Sequence, residues 1–214
     1  RCIRDRRQGD GGINPASTAY LQSLRDIADE FNTLLIFDEV QCGMGRSGKL
    51  FAYEIANVAP DIMGLAKGIG GGFPGGAVLA TEKAASGMVP GTHGSTYGGN
   101  PLAMAAANAV LDVILEKDFL ASVLKKGTKL KNDLVSLVEK HSTVLESVRG
   151  VGLMLGIKSV GPNLELMAAF RENKLLTVVA GENVVRVLPP LNVSEEEISE
   201  AVQKIDQTCS QVSS

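Results

Sequence analysis

Two residues of this chain, an acid and a lysine, stand where enzymes often place reactive side chains. Asp38 follows the apolar run 33–37, and Lys67 follows the apolar segment 61–66 and begins the glycine-rich segment 67–75. Ligands of open α/β sheets bind outside the carboxyl ends of the strands, where both residues would lie. Most lysines are solvated surface groups, and a strand-end acid is as often a cap or loop residue, so neither one alone indicates a site.

A cluster of glycine, serine and threonine adds a third component. It spans 93–100 (HGSTYGGN) and runs into a predicted helix start at Asn100. Backbone N–H groups of such loops and helix starts bind phosphate. An acid, a lysine and a phosphate site are the parts that pyridoxal phosphate chemistry needs, because the lysine holds the aldehyde as a Schiff base and the acid keeps the ring nitrogen protonated. A nucleotide loop is the alternative, but neither GxGxxG after a first strand nor GxxxxGK[ST] is present.

A further charge lies inside an apolar segment near the end of the chain. Arg186 interrupts the otherwise apolar run 184–188. Burying an unpaired guanidinium is costly, so we expect Arg186 to be paired or to bind an anion such as a substrate carboxylate. Asp10, which stands among the glycines of QGDGG (8–12), is by itself typical of a turn.

The elements that must position these residues indicate an α/β protein in two parts. Apolar periodicity and capping signals predict helices and strands in alternation, with a capping box formed by Ser194 and Glu197. The predicted helices are 17–31, 100–115, 119–141, 163–174 and one from 194 onward; the predicted strands are 33–37, 61–66, 76–81, 151–157, 175–180 and 184–188. We place a domain boundary near residue 140, which gives domains 1–140 and 141–214.

The composition excludes several classes of function. The 214 residues carry 21 Lys and Arg against 24 Asp and Glu, a formal net charge of −3, which argues against binding to nucleic acid or to an anionic membrane. No apolar stretch approaches the roughly 18 residues of a spanning helix, and the charged first residues have no apolar signal core behind them. Three cysteines and two histidines supply neither a disulfide framework nor a zinc site. We expect a cytoplasmic protein without a metal.

Four segments resemble those of the class III, pyridoxal-phosphate-dependent aminotransferases. They stand in the family's order, and Lys67 lies midway in sequence between Asp38 and Thr96, as it does in the family. The resemblance covers nearly all of residues 8–208. It implies the C-terminal part of a fold-type I structure, with part of a large mixed-sheet domain and an interdomain helix before a small α+β domain. The segments are FDEVQCGMGRSGKLFAYE (37–54), PDIMGLAKGIGGGFPGG (60–76), GTHGSTYGGNPLA (91–103) and VVRVLPPLNVSEEEI (184–198).

The resemblance implies a role for each residue of the first site. Lys67 would hold the cofactor and shuttle the proton, and Asp38 would pair with the ring nitrogen. The run Asp38-Glu39-Val40-Gln41 would bind the cofactor ring, with Val40 on its face and Gln41 at its hydroxyl group.

Other implied roles concern the phosphate and the substrate. Thr96 would bind the cofactor phosphate of the neighbouring subunit and Ser95 would lie against the substrate, which implies a homodimer with shared active sites. Arg186 would clamp the substrate α-carboxylate. Asp10 stands where the family has a glutamate that pairs with this arginine, a departure in side-chain length.

The implied reaction exchanges an amino group between N-acetylornithine and 2-oxoglutarate, in arginine biosynthesis. Ornithine, 4-aminobutyrate and succinyl-diaminopimelate are alternative donors. Family members have roughly as much chain again before Gln8, and residues 1–7 are charged where the family has an apolar strand. A chain without that half would leave sheet edges and apolar surface uncovered, so a non-catalytic fragment is the competing hypothesis.

Overall fold

The computed structural model describes residues 7–8 and 10–212, so the charged start of the chain lies outside the described residues except for Arg7. Two 3₁₀ helices span Ala52–Ile55 and Lys67–Gly70. The strands are β1 (Arg7–Gln8), β2 (Asn14–Pro15), β3 (Ile36–Asp38), β4 (Ile62–Leu65), β5 (Ala77–Ala80), β6 (Leu145–Val151), β7 (Met154–Ser159), β8 (Val178–Ala180) and β9 (Val184–Val187). The α-helices are α1 (Thr18–Glu30), α2 (Glu82–Ala85), α3 (Pro101–Ile114), α4 (Phe119–Lys140), α5 (Asn163–Glu172) and α6 (Glu195–Val212).

The described residues form two compact units, and each is considered by itself. The first comprises 16–45 and 49–120; the second comprises 7–8, 10–15, 46–48 and 121–212. Residue 140, where we placed the boundary, is the end of α4, and most of this helix groups with the second unit. It does so because α4 packs directly on the β6–β7 turn: a Cβ atom on Gly127 would lie 2.7 Å from Gly152 Cα.

The first unit contains a three-stranded sheet in the order β3-β4-β5. Strands β3 and β4 are parallel, and β5 is antiparallel to β4. Helix α1 begins at the Ser17 cap, whose hydroxyl accepts the Tyr20 N–H, and its apolar face packs on β3. The predicted helix 17–31 is one residue too long at its end, because the helix ends at Glu30 and Phe31 is 67% exposed. The core of the unit is formed by Leu21, Ala28, Leu35, Phe37, Ala56 and Val58.

The second unit contains an antiparallel sheet in the order β6-β7-β9-β8. The prediction of one strand over 151–157 was wrong. The chain forms a β6–β7 hairpin there, and Gly152, with φ of 59°, turns it within the apolar run. The capping box of α6 is confirmed, because Ser194 N–H donates to Glu197 and Glu197 N–H donates to Ser194 Oγ. None of the helices in the described part of the chain combines the length and apolarity of a membrane span.

Candidate active site

Two neighbouring parallel strands bring the acid and the lysine to one edge of the first unit's sheet. Asp38 is the last residue of β3 and pairs in register with Gly64 of β4. Lys67 comes two residues after the end of β4, as the first residue of a 3₁₀ helix. Because parallel strands have their carboxyl ends at the same edge, Asp38 and Lys67 lie at a common edge of the sheet.

Lys67 occupies an unusual backbone conformation. Its φ is 48°, in the left-handed region that residues with side chains rarely adopt. Met44 packs against this turn, since a Cβ atom on Gly68 would lie 3.2 Å from Met44 Cβ. Helix α3 closes the other side, where Val110 leaves no room for a Cβ atom on Gly71. Strained backbone held by its surroundings in this way is a property of functional sites.

The Asp38 carboxylate is built into a turn and remains accessible. Its Oδ1 atom accepts the N–H of Val40 at 3.0 Å, which fixes the first bend after β3. Asp38, Val40 and Gln41 are all half-buried, and Lys67 is exposed. This edge therefore offers a fixed carboxylate, an apolar side chain and an amide to a ligand that enters it.

The Glu39 side chain is buried, whereas its neighbours Asp38 and Val40 are half-buried. It is 1% exposed, and its two carboxylate oxygens accept the backbone N–H groups of Ala52 and Tyr53, each at 2.8 Å. Cys42 Sγ lies 3.4 Å from the same carboxylate. In the structure the Glu39 carboxylate lies at the start of a 3₁₀ helix, where it supports the loop, and its place in the cofactor-binding run stays a prediction. Strand alternation is the signal for this difference, since consecutive side chains leave opposite faces.

Glu39→Gln is expected to destabilise the protein by about 1.5–3 kcal/mol, because the amide NH₂ would face a buried backbone donor. Urea unfolding of the purified protein measures the change. The control is Glu54→Gln, since Glu54 is exposed and accepts the Phe51 N–H at 2.7 Å beside the same helix. Its loss is expected to stay below about 0.5 kcal/mol. Equal losses in the two variants would contradict the supporting role of Glu39.

The second unit holds Arg186 in the interior of its sheet. Arg186 lies in β9, between Gly156 of β7 and Val178 of β8. Its side chain is 12% exposed, and Nη1 donates to Asp10 Oδ1 at 2.6 Å. The Nε atom is buried and has no hydrogen-bond partner among the described residues. A buried donor without an acceptor is costly, so the guanidinium is incompletely satisfied by Asp10 and suits an additional anion.

The loop that carries Asp10 is anchored to the β8–β9 turn. Gly181 N–H donates to the Asp10 carbonyl at 2.7 Å. Arg149 donates to Asn14 Oδ1 at 2.8 Å and also to the Glu182 carboxylate. That hydrogen bond from Arg149 is the main reason that the pKa of Glu182 lies below its ordinary value. The Asp10 side chain itself is 85% exposed, so its backbone is fixed while its carboxylate remains displaceable.

Ser95 and Thr96 lie in the first unit, in the exposed loop that leads into α3. The helix begins as the sequence predicts: Asn100 Oδ1 accepts the Ala103 N–H at 2.9 Å, and Pro101 occupies the first turn. The first unit thus holds the six predicted positions of the cofactor site, together with Ser95; the six are Asp38, Glu39, Val40, Gln41, Lys67 and Thr96. The second unit holds Asp10 and Arg186.

Comparison with known proteins identifies the family. The model of the class-III aminotransferases matches residues 3–209. The acetylornithine aminotransferase 1 of Bradyrhizobium diazoefficiens is 56% identical over 207 residues, which are 97% of this chain and 51% of that protein. The acetylornithine aminotransferase of Bacillus subtilis is 47% identical over 200 residues, 94% of this chain and 51% of that protein.

Solved structures agree with these relatives. N-acetylornithine aminotransferase from Stenotrophomonas maltophilia matches with a TM-score of 0.88 at 34% identity, over 99% of this chain and 56% of that one. Ornithine aminotransferase from Plasmodium yoelii matches with a TM-score of 0.91 at 34% identity, over 98% and 56%. The chain spans about half the length of the curated relatives it matches. It has the α/β fold of part of a fold-type I transferase, and it belongs to the class-III aminotransferases.

Proposed function

We propose that this chain forms the second half of an aminotransferase that exchanges an amino group between N-acetylornithine and 2-oxoglutarate in arginine biosynthesis, with pyridoxal 5'-phosphate as cofactor. The observation that carries the proposal is the placement of Asp38 and Lys67 at the ends of adjacent parallel strands. The acetylornithine aminotransferases at 47–56% identity support the choice of donor. We also propose a cytoplasmic location, because three cysteines far apart in sequence fit a reducing compartment.

The donor set at the sheet edge fits this cofactor. Asp38 offers a half-buried carboxylate that a protonated ring nitrogen would satisfy, and Lys67 offers the amine that would hold the cofactor covalently. Val40 and Gln41 would bind the ring face and the ring hydroxyl. When bound, the cofactor withdraws electrons from the substrate carbon that carries the amino group.

Lys67, Asp38 and Arg186 would then have separate roles in the reaction. The Lys67 amine would carry the proton that leaves that substrate carbon, and Asp38 would keep the ring nitrogen of the bound cofactor charged. Arg186 binds the α-carboxylate through its Nη and unsatisfied Nε donors and releases Asp10. In 2-oxoglutarate a carboxylate is bonded to the carbon that receives the amino group, whereas the free amine of N-acetylornithine is on its δ-carbon, far from the α-carboxylate. Arg186 would therefore serve the 2-oxoglutarate half of the ping-pong reaction.

Two further parts of the proposal concern the assembly. We place Thr96 at the cofactor phosphate of a neighbouring subunit and Ser95 against the substrate, which requires a homodimer with shared sites. The exposure of both residues, in a loop before the N-terminus of α3, is compatible with these contacts. Steady-state rates with N-acetylornithine, ornithine, 4-aminobutyrate and succinyl-diaminopimelate decide the donor. A preference for another of the four would overturn N-acetylornithine.

Covalent trapping tests the site directly. Pyridoxal phosphate is added to the purified protein, borohydride reduces the adduct, and peptide mass mapping locates it. We expect one labelled lysine, Lys67, and loss of the label in Lys67→Arg. Lys83→Ala is the matched control and is expected to keep the label, because Lys83 pairs with Asn32 away from the sheet edge. Specific labelling of another lysine would overturn the assignment.

The competing function, a non-catalytic fragment, is favoured by one observation. The first unit exposes large apolar side chains: Val78, on β5, is 75% exposed, and Leu102 and Met88 are each 64% exposed. Uncovered surface of this kind promotes association. Gel filtration and hydrogen exchange of the 214-residue chain distinguish the two, since a compact dimer with cooperative protection would exclude the fragment hypothesis.

A further inference from the structure

Arg46 closes the end of the sheet that carries Arg186. Its Nη1 atom donates to the Leu153 carbonyl at 3.3 Å and also to the Pro189 carbonyl. Its own carbonyl accepts the Leu153 N–H at 3.1 Å. Both side chain and backbone of Arg46 therefore bind the same end of the β7–β9 pair, and all of these residues belong to the second unit.

The register shows why an arginine is needed there. Leu155 and Val187 are the last paired residues of β7 and β9. Two residues beyond this pair on each strand come Leu153 and Pro189, whose carbonyls both accept from Arg46. Pro189 has no N–H group, so the ladder cannot continue through Pro189. Arg46 supplies a donor to both carbonyls in place of the missing strand hydrogen bonds, and it takes up the Leu153 N–H.

Holding the Arg46 guanidinium here costs more desolvation free energy than leaving an arginine at the surface. Burial lowers the pKa of Arg46, and its two acceptors are neutral carbonyls instead of carboxylates. Hydrogen bonds to neutral carbonyls compensate for the desolvation of a buried cation only where the geometry is rigidly fixed. The position that it fixes is the exit of β9, and Pro189 lies three residues after Arg186.

We propose that Arg46 is a positioning residue for substrate binding, which holds the end of β9 so that Arg186 presents its guanidinium to the α-carboxylate. This inference rests on the proposed function of Arg186. Without Arg46, the pair beyond Leu155 and Val187 would lose its closing hydrogen bonds and β9 would fray from its proline end. A displaced guanidinium would bind the carboxylate less tightly in the ground state and in the transition state alike.

The test uses the full-length enzyme and the variant Arg46→Met, which keeps an unbranched chain of similar length. We expect KM for 2-oxoglutarate to rise about tenfold, while KM for the amino donor and kcat each change less than about threefold, because the interaction lost is one made with 2-oxoglutarate in ground state and transition state alike. Hydrogen exchange should become faster at amides 184–188 and remain unchanged in α5. If Arg46→Met does not fold, Arg46→Lys keeps one donor and is expected to show the same direction.

The matched control is Arg25→Met in the first unit. Arg25 is a largely buried arginine that pairs with Asp61 at 2.9 Å and Asp29 at 2.6 Å, and its loss is expected to reduce stability with both KM values unchanged. If Arg46→Met lowers stability and leaves KM and β9 exchange unchanged, Arg46 is only structural and the inference is overturned. Arg186→Lys separates the two proposals: if KM is unchanged in Arg186→Lys as well, the role of Arg186 itself fails.

Discussion

Replacing Lys67 by alanine is expected to abolish transamination by the full-length enzyme. The amine would hold the cofactor and move the proton, and proton transfer by a positioned side chain alone contributes about 10²–10⁴-fold. Loss of both functions should reduce kcat by more than about 10⁴-fold. Single-turnover conversion of the amino donor measures the effect without interference from the second half-reaction.

The control for this variant is Lys83→Ala, in the same unit. Lys83 donates to Asn32 at 2.8 Å at the surface, and its removal should leave the rate within a factor of about two. Retention of native turnover by Lys67→Ala would mean that another amine performs the chemistry. The Schiff-base role of Lys67 would then be wrong.

Asp38→Asn is expected to keep the fold and to reduce kcat by about 10²–10³-fold. Losing one preorganised electrostatic contact in an active site typically lowers kcat by about this factor. The amide oxygen can still accept the Val40 N–H, so the turn after β3 should survive. The amide lacks the negative charge that would keep the ring nitrogen protonated. Steady-state kcat, with unfolding by urea as a check on stability, measures both effects.

Asp61→Asn provides the comparison for Asp38→Asn. Asp61 accepts the Leu35 N–H at 2.7 Å and pairs with Arg25, and these contacts keep its pKa below the ordinary value despite partial desolvation. This variant should lose stability and keep kcat. Since the folded pKa is depressed, the stabilisation from Asp61 is present above the unfolded pKa and lost as the pH falls through the folded pKa. An unchanged kcat in Asp38→Asn would show that the ring nitrogen has another partner.

Much of the fold and of the first site could be predicted because the signals are local. The helix starts at Ser17, Asn100 and Ser194 are set by side chains within three residues of the backbone groups they bind. The positions of Asp38 and Lys67 follow from where two apolar runs end. Parallel pairing then brings the two together without further information from the rest of the chain.

The remaining features of the fold and the site depend on contacts between residues that are far apart in sequence. A local sequence pattern carries no information about such contacts. The pairing of Arg186 with Asp10 joins residues 176 positions apart. The role of Arg46 requires the register of β7 and β9 and the lack of an N–H group at Pro189. The hairpin at Gly152 was missed because an apolar run with one glycine is compatible with a continuous strand.

The exposed carboxylate of Asp10 binds Arg186 as an intramolecular ligand, so it is a tethered competitor of any free anion. A free anion must displace a neighbour whose effective concentration is set by the fixed loop and not by the solution. The competitor weakens by the same factor every ligand that must displace it from Arg186, and it does not affect a ligand that binds elsewhere. It also pairs the guanidinium charge when no other anion is bound, so we expect small inorganic anions at low concentration to compete poorly for Arg186.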